Sequence, residues 1–322
     1  MITDAKIESA YGRIRSDIVR TPLEYSAPLS RLTGARVFIK WESDQTTGSF
    51  KFRGALNKLR SLSASVRLAG VLTASTGNHG LGVVRAAAME RTPVLLYLPR
   101  TAAPAKVQKL RAAGAVIEFH GSSCERAEIA ARRDAAGAGK AYISPYNDPE
   151  VISGQGTIGL EILEDCPGVE AVFVPIGGGG LIAGIGAYLK GRNPAVKVIG
   201  IEPSASAFMK ASFTAGRLVS IREGPTLADA VAGGIEPGSI TFPLCRAYVD
   251  DIRLTGESRL REAIALIGRH HHRRVEGAGG LPLASLLKDR AAFRRRTVVL
   301  VVSGGNIDPL RWERITHLRL GD

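Results

Sequence analysis

The sequence predicts an α/β fold, and three observations carry that prediction. Short β-rich apolar runs alternate with segments whose apolar residues recur at helical spacing. The runs are continuously apolar, which is the signature of strands buried on both faces of a parallel sheet. Several lead straight into glycine-rich turns, and in open α/β sheets ligands sit just beyond the carboxyl ends of the strands.

In chain order the predicted strands are VFIK (37–40), GVLTAS (70–75), PVLLYLP (93–99), AVIEFHG (115–121), AVFVPIG (171–177), VKVIGIEP (196–203) and TVVLVVSGG (297–305). Between them KVQKLRAAG (106–114), GTIGLEILED (156–165) and SRLREAIALIGRHH (258–271) read as helices. No tandem repeat, low-complexity tract or Pro/Ser-rich linker marks a boundary. The 322 residues therefore make one large unit or two interwoven lobes.

Composition excludes several classes. Apolar residues at 45 % and charged residues at 23 % match ordinary globular proteins, while 37 glycines exceed average usage and call for glycine-dependent turns or close approaches. No run approaches the roughly 18 apolar residues of a membrane span. The N-terminal segment is too polar for a signal peptide, which points to the cytoplasm. Cys124, Cys166 and Cys245 form no CxxC pair, so neither a disulfide framework nor a thiolate zinc site is expected.

A formal charge of +13 is the electrostatic footprint of a nucleic-acid binder. The clusters RHHHRR (269–274) and RRR (294–296) lack interleaved aromatics, however, and no nucleic-acid partner is expected. His270, His271 and His272 are successive, so on a helix they point about 100° apart and cannot converge on one metal ion. They read as a solvated, charged helix end.

Four motifs carry chemistry. In TTGSFKFRGA (46–55), Lys51 stands between two aromatic residues where a helical pattern begins, a place that can desolvate an amine and lower its pKa. An isolated lysine at a helix start is ordinarily just solvated; this one is accompanied. ASTGNHGLG (74–82) gathers hydroxyl, amide and backbone donors at a helix N-terminus, which suits an anion such as a carboxylate. VPIGGGGLIAG (174–184) puts four glycines ahead of a helix, so that backbone N–H groups close around a phosphate; alone it is equally a flexible turn. It is not the GxxxxGK[ST] loop of nucleotide-binding proteins. VVLVVSGGN (298–306) places Ser303 at a strand tip, where it offers one neutral hydrogen bond or simply ends the strand.

Together GSFKFRGA, STGNHG, PIGGGGL and SGGN occur in the order and approximate spacing of the fold-type II pyridoxal-phosphate enzymes. The chain resembles their threonine/serine dehydratase and serine racemase group. The likeness continues through DPEVISGQGTIGLEIL (148–163), GPTLADAVAGGI (224–235), YVDDI (248–252) and VEGAGG (275–280), so it spans nearly the whole chain. It implies two interwoven open-sheet lobes of the tryptophan synthase β kind with the cofactor in the cleft. Residues 1–45 and 147–322 would form the large cofactor-binding domain, 46–146 a small mobile domain, and two chains a homodimer.

The resemblance further implies pyridoxal 5'-phosphate bound covalently to Lys51, with Phe50 against its ring and Asn78 on its phenolic oxygen. Gly177, Gly178, Gly179 and Gly180 with Leu181 would hold the phosphate, Ser303 would face the pyridine nitrogen, and Glu276 would lie near the far edge. Ser75, Thr76, Gly77, Asn78 and His79 would surround the carboxylate of a small amino-acid substrate, with Tyr146 opposite. Lys51 and Thr76 would be the catalytic side chains, the lysine taking the Cα proton. The implied reaction converts a β-hydroxy amino acid of the L-threonine or L-serine type to a 2-oxo acid and ammonia, the alternatives being a hydroxyaspartate dehydratase or a serine racemase. A neutral serine opposite the pyridine nitrogen favours prompt elimination.

Some positions depart from the group. Racemases carry a second serine where this chain has Thr76, which keeps the hydroxyl but adds a methyl, so racemisation is not expected. STGNHG, TLADAVAGGI and VEGAGG are most similar to the dehydratase-like enzymes of hydroxyectoine breakdown. Ala230 and Tyr146 replace a glycine and an Asn or Phe. At the Glu-Pro turn that binds a cation in some relatives, Glu202 and Ser206 are present but Phe208 stands in the aspartate's place. Phenylalanine offers no oxygen to a hard cation, so no such metal site, or only a weakened one, is expected. The short stretch after SGGN leads to the expectation of no regulatory domain and no feedback control by isoleucine. A basic side chain in the pocket would favour a dicarboxylate substrate, but the sequence locates none.

Overall fold

All seven apolar runs form strands in the computed structural model, which describes residues 2–317. The ten strands in chain order are β1 (Leu23–Tyr25), β2 (Arg36–Trp41), β3 (Val71–Ala74), β4 (Val94–Leu98), β5 (Val116–Phe119), β6 (Ala141–Tyr142), β7 (Ala171–Pro175), β8 (Lys197–Pro203), β9 (Asp251–Thr255) and β10 (Thr297–Val302). They make a six-stranded sheet in the order β1-β2-β10-β7-β8-β9 and a four-stranded sheet in the order β5-β4-β3-β6. Every pairing is parallel except β1 with β2. The fold is α/β, with the order of strands interleaving the first and last parts of the chain.

The central strand β10 shows why continuous apolar character reads as burial on both faces. All six of its residues are buried. Val299 and Val301 enter one apolar cluster, while Val298, Leu300 and Val302 enter another on the opposite face, as the two-residue period of a strand requires. The three strands not expected from the sequence lie at sheet edges. β1 is only partly buried, β6 has two residues, and β9 mixes buried and half-buried positions through the polar run DIRLT.

Part of the glycine excess serves helix contact. Gly184 on the helix Gly180–Arg192 would place a Cβ 2.4 Å from the Ile152 carbonyl of the helix Pro149–Asp165, and Gly156 on the latter would meet the Gly184 carbonyl at 2.8 Å. Only hydrogen atoms fit between these backbones, so the two helices lock together beneath the larger sheet.

One expectation is corrected here. His271 does not belong to a solvated helix end: its side chain is only 5 % exposed. Its Nδ1 lies 2.9 Å from Glu24 Oε1 and its Nε2 2.8 Å from Ser26 Oγ, and its ring packs edge-on against Trp41. His270 and His272 are exposed, as expected. The helix Glu257–His271 ends against β1 and β2, so one of three successive histidines necessarily faces the protein.

Candidate active site

The carboxyl ends of β3, β7 and β10 deliver three of the predicted motifs to one place. Residues 75–79, 177–181 and 303–306 all fall at strand ends, and Lys51 comes to them through β-type pairing of the preceding chain. Ser49 bridges Gly304, and the Phe50 N–H donates to the Ser303 carbonyl at 3.1 Å. Lys51 therefore starts its helix, Lys51–Ser61, directly beside the end of β10.

The Lys51 ammonium donates to the Pro145 carbonyl at 2.7 Å and lies 4.9 Å from the centroid of the Phe50 ring. Burial lowers its pKa to about 8, with the Glu276 charge opposing the shift. An amine in that range gives up its proton far more readily than an exposed lysine.

After β3 the chain turns through Ser75, Thr76 and Gly77 into the helix Asn78–Met89. The Gly77 N–H donates to Ser75 Oγ at 3.2 Å. Asn78 Nδ2 donates to both carboxylate oxygens of Glu276, at 2.7 and 3.0 Å, and its Oδ1 accepts from Asn306 Nδ2 at 2.8 Å. The His79 ring holds the turn in place, its Nε2 lying 3.0 Å from both Thr73 Oγ1 and the Ile143 carbonyl. A carbonyl only accepts, so Nε2 carries the proton. Burial lowers this imidazole to about 3, and it stays neutral.

Gly177 to Gly180 form a bare cradle. A Cβ on Gly178 would lie 2.3 Å from the Tyr146 ring, one on Gly177 would lie 3.0 Å from Val231 Cα, and Gly179 adopts φ +87°. Gly180 opens a helix that has no side-chain cap, so its first N–H groups face the cradle. Tyr146 is pinned over this loop by its hydroxyl, which accepts from the Glu236 N–H at 3.0 Å. We expect Gly178→Ala to force the ring or the loop aside and to weaken phosphate-ligand binding by about tenfold or more, the usual range for overpacking. Titrating the cofactor against its absorbance measures this.

Glu276 is 7 % exposed and directly precedes the helix Gly277–Lys288, without its side chain capping that helix. Burial raises its pKa to about 7, against the Asn78 hydrogen bond, which lowers it. Between pH 4.5 and 7 the folded chain thus holds a proton that the unfolded chain has released, so stability falls as pH rises through this window. In cofactor-free protein, Glu276→Gln should melt about 3 °C or more above the wild type at pH 8. The difference should shrink towards zero by about pH 4.5. A gap independent of pH would refute this account.

Phe50, Lys51, Ser75, Thr76, Gly77, Asn78, His79, Tyr146, Gly177, Gly178, Gly179, Gly180, Leu181, Glu276 and Ser303 all line one cavity of about 550 Å³. Ala230 lines it too. Sequence reasoning missed the Pro145 carbonyl, Asn306, and the charged groups Lys106, Lys109, Asp229 and Arg311 of the same cavity. Asn306 lay inside a quoted motif, Lys106 and Lys109 inside a run read only as a helix, and Asp229 inside a stretch quoted only for the resemblance; Pro145 and Arg311 lay in none. Outside the cavity, both oxygens of buried Glu202 accept helix N–H groups, from Met209 and Lys210 at 2.8 Å each, beside buried Phe208.

The sequence profile described as pyridoxal-phosphate dependent enzyme matches residues 14–304. The chain belongs to this family. Among curated relatives of this pyridoxal-phosphate enzyme, an L-threonine ammonia-lyase of Thermotoga maritima is 42 % identical over 317 residues, covering 98 % of this chain and 79 % of the relative. The catabolic L-threonine dehydratase of Escherichia coli is 38 % identical, covering 96 % of this chain and 94 % of the relative. Among solved structures, maize serine racemase superposes with a TM-score of 0.92 at 31 % identity, covering 98 % of this chain and 97 % of that one. Threonine deaminase isoform 2 of Solanum lycopersicum follows with a TM-score of 0.90 at 32 % identity, covering 97 and 93 %.

The residues present fit the family's cofactor. The glycine cradle excludes any side chain and offers helix N–H groups to a phosphate, while a partly desolvated lysine amine stands in the same cavity, ready to bond a carbonyl carbon.

Proposed function

We propose that this pyridoxal-phosphate enzyme is an ammonia-lyase that dehydrates a small β-hydroxy amino acid of the L-threonine or L-serine type. The observation that carries the reading is the shared cavity: the Lys51 amine, the hydroxyl-rich turn at 75–79, the glycine cradle and Ser303 line one space. The naming of the most similar curated relatives as threonine ammonia-lyases and dehydratases supports it.

When bound, the cofactor supplies an electron sink for the pair left at Cα. Lys51 holds it and, once its amine is free, takes the Cα proton; a pKa near 8 suits that exchange near neutral pH. The Ser75 and Thr76 hydroxyls and the N–H groups of residues 77–79 orient the substrate carboxylate at the helix start. Thr76 carries the second proton-handling hydroxyl. Gly177 to Gly180 and Leu181 would hold the phosphate, Phe50 would pack against the ring, and Asn78 would offer its amide to the phenolic oxygen. Ser303 would offer the ring nitrogen a neutral partner, and Tyr146 would wall the substrate side of the pocket. The substrate loses its Cα proton and its β-hydroxyl as water; the enamine released tautomerises to an imine, which water hydrolyses to a 2-oxo acid and ammonia.

All four strands of the smaller sheet lie within residues 46–146, which we assign as the small mobile lobe, with the described parts of 1–45 and 147–322 as the cofactor-binding lobe. We place the enzyme in the cytoplasm as a homodimer, in keeping with three free cysteines. No helix among the described residues is long and apolar enough to cross a membrane. Mixing the cofactor-loaded protein with L-threonine and L-serine while assaying 2-oxo acid and ammonia tests the reading. Stoichiometric 2-oxo acid and ammonia are expected; conversion of L-serine to D-serine without ammonia would overturn it.

A further inference from the structure

Arg132 does not line the cavity, yet it reaches both ends of a segment that helps to build it. The helix Cys124–Gly137 lays Ala127, Ala130, Ala131 and Ala135 against Leu72 and Tyr97 of the smaller sheet. Arg132 is thereby seated beside the edge strand β6, with its guanidinium carbon 4.4 Å from the centroid of the Tyr142 ring. From Tyr142 the chain runs on to Pro145, whose carbonyl accepts from Lys51, and to Tyr146, whose ring leaves Gly178 no room for a Cβ.

The guanidinium also faces a distant part of the chain. Its Nη2 lies 2.7 Å from Glu236 Oε2, and 2.8 Å from Oε1 of Glu128, one turn earlier on its own helix. Arg132 and Glu236 are both half-buried. Burial pushes the Glu236 carboxyl up, and the Arg132 charge opposes that shift. Glu236 donates its backbone N–H to the Tyr146 hydroxyl at 3.0 Å, and the Ile240 N–H donates to Asn147 Oδ1 at 2.9 Å. Residues 236–240 thus form a strap across residues 146 and 147, anchored from the side by Arg132. An ion pair on open surface adds little. This one joins a helix of the smaller sheet to the strap that holds the ring over the glycine cradle.

We propose that Arg132 is a positioning residue for cofactor binding: through Glu236 it fixes the strap, and the strap fixes the Tyr146 ring that walls the cradle. This rests on the cradle as the phosphate site and goes beyond the reaction proposed above, because Arg132 itself touches neither cofactor nor substrate. A side chain that shapes a binding site does so only when its own rotamer is held by the groups behind it. The Tyr146 ring packs on Gly178 at one edge and is tethered at its hydroxyl, so a strap that drifts lets the ring swing and opens the wall. Lysine at position 132 would return the charge to Glu236 without the flat face that lies on Tyr142.

The test is a thermodynamic cycle on cofactor binding, read from the absorbance of the bound cofactor, in wild type, Arg132→Ala, Tyr146→Phe and the double variant. Tyr146→Phe keeps the ring and deletes only the hydroxyl that the strap holds. Each single substitution should raise the cofactor dissociation constant about threefold or more, and the double variant should bind no more weakly than the poorer single one, since both break one chain of contacts. Arg132→Lys should recover part of the loss. Fold-changes that multiply in the double variant would show that Arg132 does not act through Tyr146, and the proposal would fall. A lower melting temperature with unchanged cofactor binding would leave Arg132 a purely structural role and overturn it equally. Should Arg132→Ala fail to fold, Glu236→Gln, which keeps the side chain's shape and removes its charge, replaces it in the cycle with the same expectation. Release of 2-oxo acid by the loaded wild type reports on the ammonia-lyase reading separately, so that reading stands even if the cycle proves additive.

Discussion

Replacing Lys51 by alanine should abolish 2-oxo acid release, by about a thousandfold or more, while leaving the fold intact. Two separate contributions are lost together. The amine that bonds the cofactor disappears, and so does the base for the Cα proton, a step worth about 10²–10⁴ in rate on its own. Stability should not suffer. Burial holds the Lys51 amine near 8, well below an ordinary lysine, so the folded chain binds fewer protons than the unfolded chain between pH 8 and 10.5. Its native protonation is therefore unfavourable below this window and stability rises with pH through it. Removing the amine relieves that penalty at neutral pH, and cofactor-free Lys51→Ala should melt no lower than the wild type. The near-visible absorbance of a lysine-bound cofactor should vanish in the variant. Retained absorbance with retained turnover would mean that another amine carries the cofactor and that the cavity has been assigned the wrong nucleophile.

How far the sequence reveals this site follows from how its parts are built. The hydroxyl turn, the glycine cradle and Ser303 are each contiguous with a strand buried on both faces. A continuous apolar run ending in glycine or hydroxyl residues announces such a place directly. Partners contributed from a distance leave no such trace. Pro145 supplies only a carbonyl to Lys51, which any residue type offers. Lys109 meets Asn306 across 197 positions, and Asn78 meets Glu276 across 198. The edge strands β1 and β9 escaped because they keep polar residues in place of a continuous apolar run, and β6 because two residues are too few to read as one. His271 was misjudged because composition describes the cluster as charged, whereas the helix phase decides which of its members faces Trp41.

The least legible feature lies two residues beyond Lys51. Arg53 is fully buried, and its guanidinium lies between two buried carboxylates. It donates to Glu42 through Nε at 2.8 Å and Nη2 at 2.9 Å, and to Glu161 through Nη1 at 2.7 Å and Nη2 at 2.8 Å. Lys40 closes the cluster, donating to Glu161 at 2.6 Å and to the Thr21 carbonyl at 2.7 Å. Two cations balance two carboxylates, and the cluster joins the end of β2, the helix that begins at Lys51 and the helix Pro149–Asp165.

Arg53→Ala removes one cation and leaves two buried carboxylates facing a single lysine. The expected loss is about 3–5 kcal/mol, the range for breaking a buried pair by deleting one partner. Arg53→Lys should recover part of it, because the charge returns but the two-pronged geometry does not. The pH dependence separates this electrostatic account from simple loss of volume. Burial pushes the Glu161 pKa up, but Arg53 and Lys40 outweigh it and hold the carboxyl below 4.5. Its contribution is therefore present above pH 4.5 and is lost as pH falls below that value. The gap in melting temperature between wild type and Arg53→Ala, measured without cofactor, should narrow as pH falls below about 4.5. A gap that stays constant with pH, or that closes equally with Arg53→Met, would show that packing rather than charge holds the start of the Lys51 helix in place.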